Sequence, residues 1–241
     1  MLLSGCATTG KPIDQQSTDS KDPYENVNRK IYAFNDKVDD YVSKPVSDAY
    51  KAITPEFLQK RVTHFFKNLQ TVNVIFNDLL QAKFVQGATD TQRLLMNTTL
   101  GLAGFFDVAQ TVGLEQHEED FDQTFAVWGL PQGSYLVLPF VGPITVRGIP
   151  GAVFDTAANP VSYVGQPLLS NYIGAPIQAL SLIDKRANAE GALQFIDEAA
   201  LDPYVFTRES FLQWRNHLAN DGKSESSIDL MDSDDQQEES K

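Results

Sequence analysis

From Asp22 onward the apolar residues recur with the period of a helix. Val27, Ile31, Phe34, Val38 and Tyr41 follow one another at spacings of 4, 3, 4 and 3 residues, which lays an aromatic-rich stripe along one helix face. Asp22 is placed to cap this helix, Pro23 fits its first turn, and Glu25 follows three residues after the cap. Pro45 is expected to end or kink it. Thr54-Pro55-Glu56 starts another helix, with Val62, Phe65, Phe66 and Leu69 inward. Val72 to Leu80 predicts a further helical segment, FVQGA at 84–88 a turn, and Thr89 with Gln92 the next cap pair. The segment holding Arg93 to Met96 runs into small residues between Asn97 and Gly104. Helical signals return between Asp184 and Asn220. Leu193, Phe195 and Ile196 come first, then an Asp202-Pro203 start, then Phe206, Ser210 or Phe211, and Trp214. No internal repeat is evident.

Between these helical ends the pattern breaks down. The 61 residues from Gln123 to Ile183 contain only two charges, Arg147 and Asp155, and prolines at 131, 139, 143, 150, 160, 167 and 176 interrupt them. Such a stretch is either the turn-rich core of a soluble domain, or a surface that lives in lipid or lines an amphipathic passage. Broken helices are tolerated at membrane depth only where the backbone is buried in protein or lines a cavity. Tyr135 to Leu138 has the composition of a strand, but no alternating partner is visible beside it.

Charge and the single cysteine sharpen the picture at the two ends. The net charge of −13 argues against nucleic acid as a partner. Eight acidic residues and two lysines lie in 221–241, which predicts a disordered acidic tail. The polar run through 6–21 reads as a flexible linker. That leaves one domain over 22–220. One cysteine excludes an internal disulfide, and no run is long and apolar enough for a simple spanning helix. Cys6 sits in Leu3-Ser4-Gly5-Cys6-Ala7, the pattern at which a bacterial signal peptide is cut and the new terminal cysteine acylated. Residues 1–5 are then the remnant of a longer signal peptide. Cys6 is expected to carry a diacylglycerol and an N-acyl chain, since stable anchoring takes more than one acyl chain; no other cofactor is implied.

Catalytic signatures are missing. There is no Gly-x-Ser-x-Gly elbow, no His-Glu-x-x-His and no Gly-rich phosphate loop, so the chain does not read as an enzyme. Glu115, His117, Glu118, Glu119, Asp120 and Asp122 lack the ligand spacing and central glycine of a calcium loop. They read as a solvated acidic loop, not a metal site. Ser134 reads as a turn residue.

Four pieces carry a family resemblance: DPYENVNRKIYAFNDKVDDYVSKPV at 22–46, NTTLGLAGFFDVA at 97–109, DFDQTFAVWGLPQGSYLVLPFVGP at 120–143 and DPYVFTRESFLQWR at 202–215. In order and extent they resemble the VacJ/MlaA lipoproteins of the Gram-negative outer membrane. The resemblance implies an all-α, ring-shaped, monotopic domain whose Gly/Pro-broken apolar segments surround an amphipathic channel, embedded in the inner leaflet of the outer membrane. It implies phospholipids as cargo, a trimeric porin as neighbour and a soluble periplasmic lipid carrier as recipient. Ala7 after the cysteine fits outer-membrane sorting. The family often has Gly at the position of Asp122, Leu at Phe125 and Asp at Gly148. Pro131 replaces a common Gly in a loop that is a candidate gate, so any hinge rests on Gly129 and Gly133. On the polar side of the first helix, Asn28, Arg29, Tyr32 and Asn35 are candidates for the lipid path, the alternative being hydrogen bonds to neighbouring elements. Two other functions stay open: a scaffold that braces porins without moving lipid, and a lipid hydrolase.

Overall fold

The computed structural model describes residues 22–163 and 171–221. Cys6, the linker and the acidic tail beyond Asp221 lie outside them. The first helical run is continuous but changes pitch. Helix α1 (Glu25–Val38) passes through one π-helical turn (Asp39–Ser43) into α2 (Lys44–Ile53). Pro45 lacks an N–H and its ring crowds the carbonyl four residues back; the wide turn just before it absorbs that conflict, so the helix is re-registered and not ended. Asp22 does not cap α1. Tyr24 holds the capping position without a side-chain bond, while Asp22 is buried and bonded to Asn28, Tyr204 and Arg208.

The expected turn at 84–88 is helical. Helix α3 (Glu56–Leu80) runs unbroken for 25 residues, and α4 (Phe84–Thr99) includes the whole FVQGA segment. Gly87 faces α3 so closely that a Cβ there would stand 3.2 Å from the Cβ of Asp78. The glycine is thus used for helix–helix approach and not for a turn. Thr89 caps nothing; its hydroxyl donates to the carbonyl of Val85 within α4. Short helices α5 (Val108–Thr111) and α6 (Phe121–Val127) are capped by the side chains of Asp107 and Asp120. Helix α7 (Gly148–Ala158), a 3-10 turn (Pro160–Tyr163), α8 (Asn171–Ala199) and α9 (Pro203–Ala219) complete the order. At α9 the cap-and-proline start holds: Asp202 accepts from the N–H groups of Tyr204 and Val205.

Tyr135–Leu138 does have a partner. It is strand β1, paired antiparallel with β2 (Gly142–Thr145) in the register Tyr135↔Thr145, Val137↔Pro143. Gly-Pro-Ile-Thr has no strand pattern, and Pro143 gives no N–H to a ladder. The turn is carried by Phe140 and Gly142 at φ +63° and +91°. Tyr135 and Val137 of β1 pack with Tyr204 and Leu212 of α9 and with Ile31 and Tyr32 of α1 as the apolar core.

Elsewhere the molecule is inside out. Among the described residues, 9 hydrophobic side chains are buried against 22 polar or charged ones. A soluble domain buries the first kind preferentially. The inward face of α4 consists of Gly87, Asp90, Arg93 and Asn97, while Phe84, Val85 and Leu95 face out. On α1, Asn28 is buried and Val27 and Phe34 of the apolar stripe are exposed, as is Tyr41 in the π turn, while Ile31 of the same stripe packs on the core. Most of the stripe's aromatic surface thus points the other way from a globular protein's. No described helix is long and apolar enough to cross a membrane. The elements also close on themselves: α1 packs on β1, β2 on α9, α9 on α8, α8 on α2, and α2 returns through the π turn to α1.

Candidate functional site

That circuit encloses a cavity of about 720 Å³. Tyr32, Asn35, Asp36 and Asp40 line it from α1 and the π turn; Val141 and Pro143 from the hairpin; Arg186, Leu193 and Asp197 from α8; Thr207 from α9. Polar and apolar side chains thus share one wall, and the volume is of the size that holds a ligand.

Two asparagines fix the hairpin wall. The Asn28 amide donates to the carbonyl of Tyr135 at 3.1 Å and accepts from the N–H of Val137 at 3.0 Å. Asn35, seven residues on, donates to the carbonyl of Leu138 at 2.9 Å and accepts from the N–H of Phe140 at 2.8 Å. Each amide plays the part of a missing third strand. The seven-residue step from Asn28 to Asn35 spans about 10.5 Å of helix, and the three-residue step from Tyr135 to Leu138 about 10 Å of strand, so the two spacings match. Between these clamps, the Tyr32 hydroxyl lies 3.4 Å from that of Thr207. Arg29 lies over the Tyr204 ring and donates to both carboxylate oxygens of Asp202, at 3.2 and 2.9 Å; the Asp202 carboxylate, with Glu25, raises the guanidinium's pKa against the opposing effect of burial.

A second group of charges fastens the far side. The acidic run at 115–122 is solvated only in part: Glu115 and Glu118 are exposed, whereas Glu119, Asp120 and Asp122 are engaged in ion pairs. Asp122 is buried and accepts from Arg147 at 2.7 Å and from Arg215 at 2.9 Å. Asp120 accepts from Arg215 at 2.6 and 2.9 Å. Burial raises the Asp122 carboxyl, but the two guanidinium groups outweigh it and hold it below the usual range. Glu119 accepts from Gln81 at 2.8 Å and Lys83 at 2.7 Å, and His117 meets Asp90 at 2.9 Å. Asp155, the lone acid of the 123–183 stretch, accepts from Asn73 and the Phe121 N–H; burial pushes it up to about 6. Asp78 is fully buried, and burial, then Asp90 and Glu119, push it up to about 7.

Of the residues singled out from the sequence, Tyr32 and Asn35 reach the cavity. Asn28 and Arg29 sit beside it in structural hydrogen bonds. Gly129 and Gly133 do adopt left-handed φ, +87° and +73°, but their loop lies off the cavity wall. It is tied down by Arg147, whose guanidinium donates to the Leu130 carbonyl and whose N–H donates to that of Gln132. The acidic lining has a signal in the sequence that local motifs do not flag, its helical spacing. Asp36, Asp39 and Asp40 fall within one turn and a half, and Arg186, Glu190, Leu193 and Asp197 recur at helical spacing.

An apolar exterior, a polar interior, a closed circuit of helices and one hairpin, and a mixed-wall cavity define a class of helical protein built with its polar side chains inward and its apolar ones outward. The MlaA lipoprotein family model matches residues 20–218. The chain is 33% identical over 229 residues to the intermembrane phospholipid transport system lipoprotein MlaA of Escherichia coli K12, covering 92% of this chain and 86% of that one. It is 35% identical over 195 residues to an uncharacterized protein of Rickettsia typhi, covering 80% and 76%. A solved chain described as "Structural basis for maintenance of bacterial outer membrane lipid asymmetry" superposes with a TM-score of 0.69 at 28% identity, covering 82% of this chain and 98% of that one. The chain belongs to the MlaA lipoprotein family.

Proposed function

We propose that this lipoprotein removes mislocalised phospholipids from the outer leaflet of the outer membrane. The lipids pass through the ring to a soluble periplasmic carrier, which maintains lipid asymmetry. The observation that carries the reading is the amphipathic cavity inside an apolar skin. A phospholipid headgroup is costly to drag through hydrocarbon; a wet polar wall lowers that cost while the outer face stays in lipid. The related transport lipoprotein of Escherichia coli supports phospholipid as the cargo. Acylated Cys6 holds the ring at the inner leaflet, beside a trimeric porin. The chain carries no nucleotide motif, so it supplies a path and not the drive. For the loop bracketed by Gly129 and Gly133 to gate that path it has to leave its ties to Arg147 and reach the cavity wall; clearance unchanged when an engineered disulfide locks the loop removes it from the path.

The deciding measurement is outer-leaflet phospholipid in cells lacking the gene, read by acyl transfer onto lipopolysaccharide. Accumulation rescued by wild type but not by Cys6→Ala supports an anchored clearing path. No accumulation, with porin binding intact, assigns the chain to porin bracing instead. Lysophospholipid made by the purified protein assigns it to hydrolysis.

A further inference from the structure

We propose that the cavity selects phospholipids whose headgroup carries an ammonium, phosphatidylethanolamine above all, over phospholipids of net negative charge. The inference rests on the cavity being the lipid path and adds which lipid it favours.

The wall carries six carboxylates and two cations. Arg186 is occupied by Asp39, donating to both of its oxygens at 2.6 Å. Glu190 is paired with Lys51, a residue outside the lining. Asp36, Asp40, Asp197 and Glu198 have no cationic partner among the described residues, Glu198 accepting only from Gln194, and Lys44 is the one cation left in the wall to offset them. These acids sense one another across the cavity. The Asp36 carboxyl is raised by burial and then by Asp40 and Asp197, which reach it from its own helix and from α8. The Tyr32 hydroxyl is likewise raised by burial and, further down, by Asp36 and Asp197.

A phosphate entering alone would meet this field as a like charge. An ethanolamine headgroup brings an ammonium with three N–H donors, which the unpaired carboxylates can accept. A glycerol headgroup brings hydroxyls and leaves the phosphate charge uncompensated. Val141, Leu193 and Ile196 in the same wall offer apolar surface to the acyl chains. A cleft lined by one sign of charge concentrates the opposite sign. With partly exposed acids several ångströms from the headgroup, the discrimination is expected to be about three- to tenfold, and weaker at high salt.

The test uses the full chain reconstituted in vesicles of equal phosphatidylethanolamine and phosphatidylglycerol with matched acyl chains. A photoreactive amino acid replaces Leu193 inside the cavity or, separately, Phe57 on the outer apolar face. The mass of each lipid adduct identifies its headgroup. The expected result is an ethanolamine-to-glycerol ratio at Leu193 about three- to tenfold above that at Phe57. Asp36→Asn, Asp40→Asn, Asp197→Asn and Glu198→Gln together should bring it down to the Phe57 value, and Lys44→Glu should raise it. Lipid captured at Leu193 with the Phe57 ratio overturns the selection but keeps the path. A high ratio that survives the fourfold substitution overturns these carboxylates as its source. Capture at Phe57 with none at Leu193 overturns the path itself, and the selection with it.

Discussion

At the scale of single residues, buried polar groups hold this protein together more than apolar ones do. Asn28 is 1% exposed and bonds Asp22, the Tyr135 carbonyl and the Val137 N–H. Asn28→Leu keeps the volume and strands all three partners, which is expected to cost about 2–4 kcal/mol. Denaturant unfolding of the detergent-solubilised protein checks it, and a loss under about 0.5 kcal/mol would remove Asn28 from the clamp. Asp78 makes a second prediction. A carboxyl raised from 3.8 to about 7 contributes stability that is fully present below its unfolded pKa and is lost as pH rises through the folded one. Unfolding free energy is therefore expected to fall between about pH 4 and pH 7. Asp78→Asn should flatten that fall. The depressed carboxyls of Asp107, Asp122 and Asp202 act at lower pH, losing their contribution only as pH drops through their lowered values.

At the scale of elements, the joints are ionic. Arg215 brings α9 to the start of α6 through Asp120 and Asp122, and Arg147 ties the segment before α7 to the same Asp122. Removing Arg215 leaves Asp120 without its cation and the buried Asp122 with Arg147 alone. Arg215→Met is expected to cost about 3–5 kcal/mol. Arg215→Lys is expected to recover little, because a single ammonium cannot reproduce the forked contact to two carboxylates. Equal stability of the Lys variant and wild type would show that charge alone suffices. The hairpin has its own weak point in Gly133, where φ is +73° and a Cβ would stand 2.8 Å from that of Val146. Gly133→Ala is expected to lower the melting temperature more than Gly129→Ala, since a Cβ at Gly129 meets nothing within 4 Å. Thermal unfolding of the two variants decides it.

At the scale of the whole molecule, the described surface is apolar and the interior polar, and the proposed lipid contact of that surface is open to test. Phe57 and Leu102 are 61% and 65% exposed on the rim of an apolar groove that also holds Phe105 and Phe106. Phe57→Asp with Leu102→Asp disturbs no buried contact, so stability in detergent should stay within about 0.5 kcal/mol of wild type. Binding of the Cys6→Ala chain to vesicles should fall sharply, since each apolar side chain withdrawn from lipid forfeits about 1.5–3 kcal/mol. Co-sedimentation with vesicles reads it. Unchanged binding would mean that this part of the skin does not face lipid.

Periodicity, caps and composition settled which residues are helical at both ends of the chain, and the quoted segments settled the family. Asp202-Pro203 capped α9 as written because a cap is decided within four residues. The sequence could show that α1 has an apolar and a polar face, but a helical wheel is blind to the medium on either side. Only the packing of α1 against the hairpin put Asn28 and Asn35 inside and Val27 and Phe34 outside. Gly87 looked like a turn until Asp78 of α3 filled the space beside it. Glu115 and Glu118 are solvated as their run suggests, but Asp122 is enclosed by Arg147 and Arg215, 25 and 93 residues away. Strand β2 stayed hidden because proline and glycine erase the alternation that marks a strand. Local chemistry therefore determined the elements and the family. Contacts between residues far apart in sequence decided which face is inside and where the cavity lies, because those depend on partners that no local pattern names.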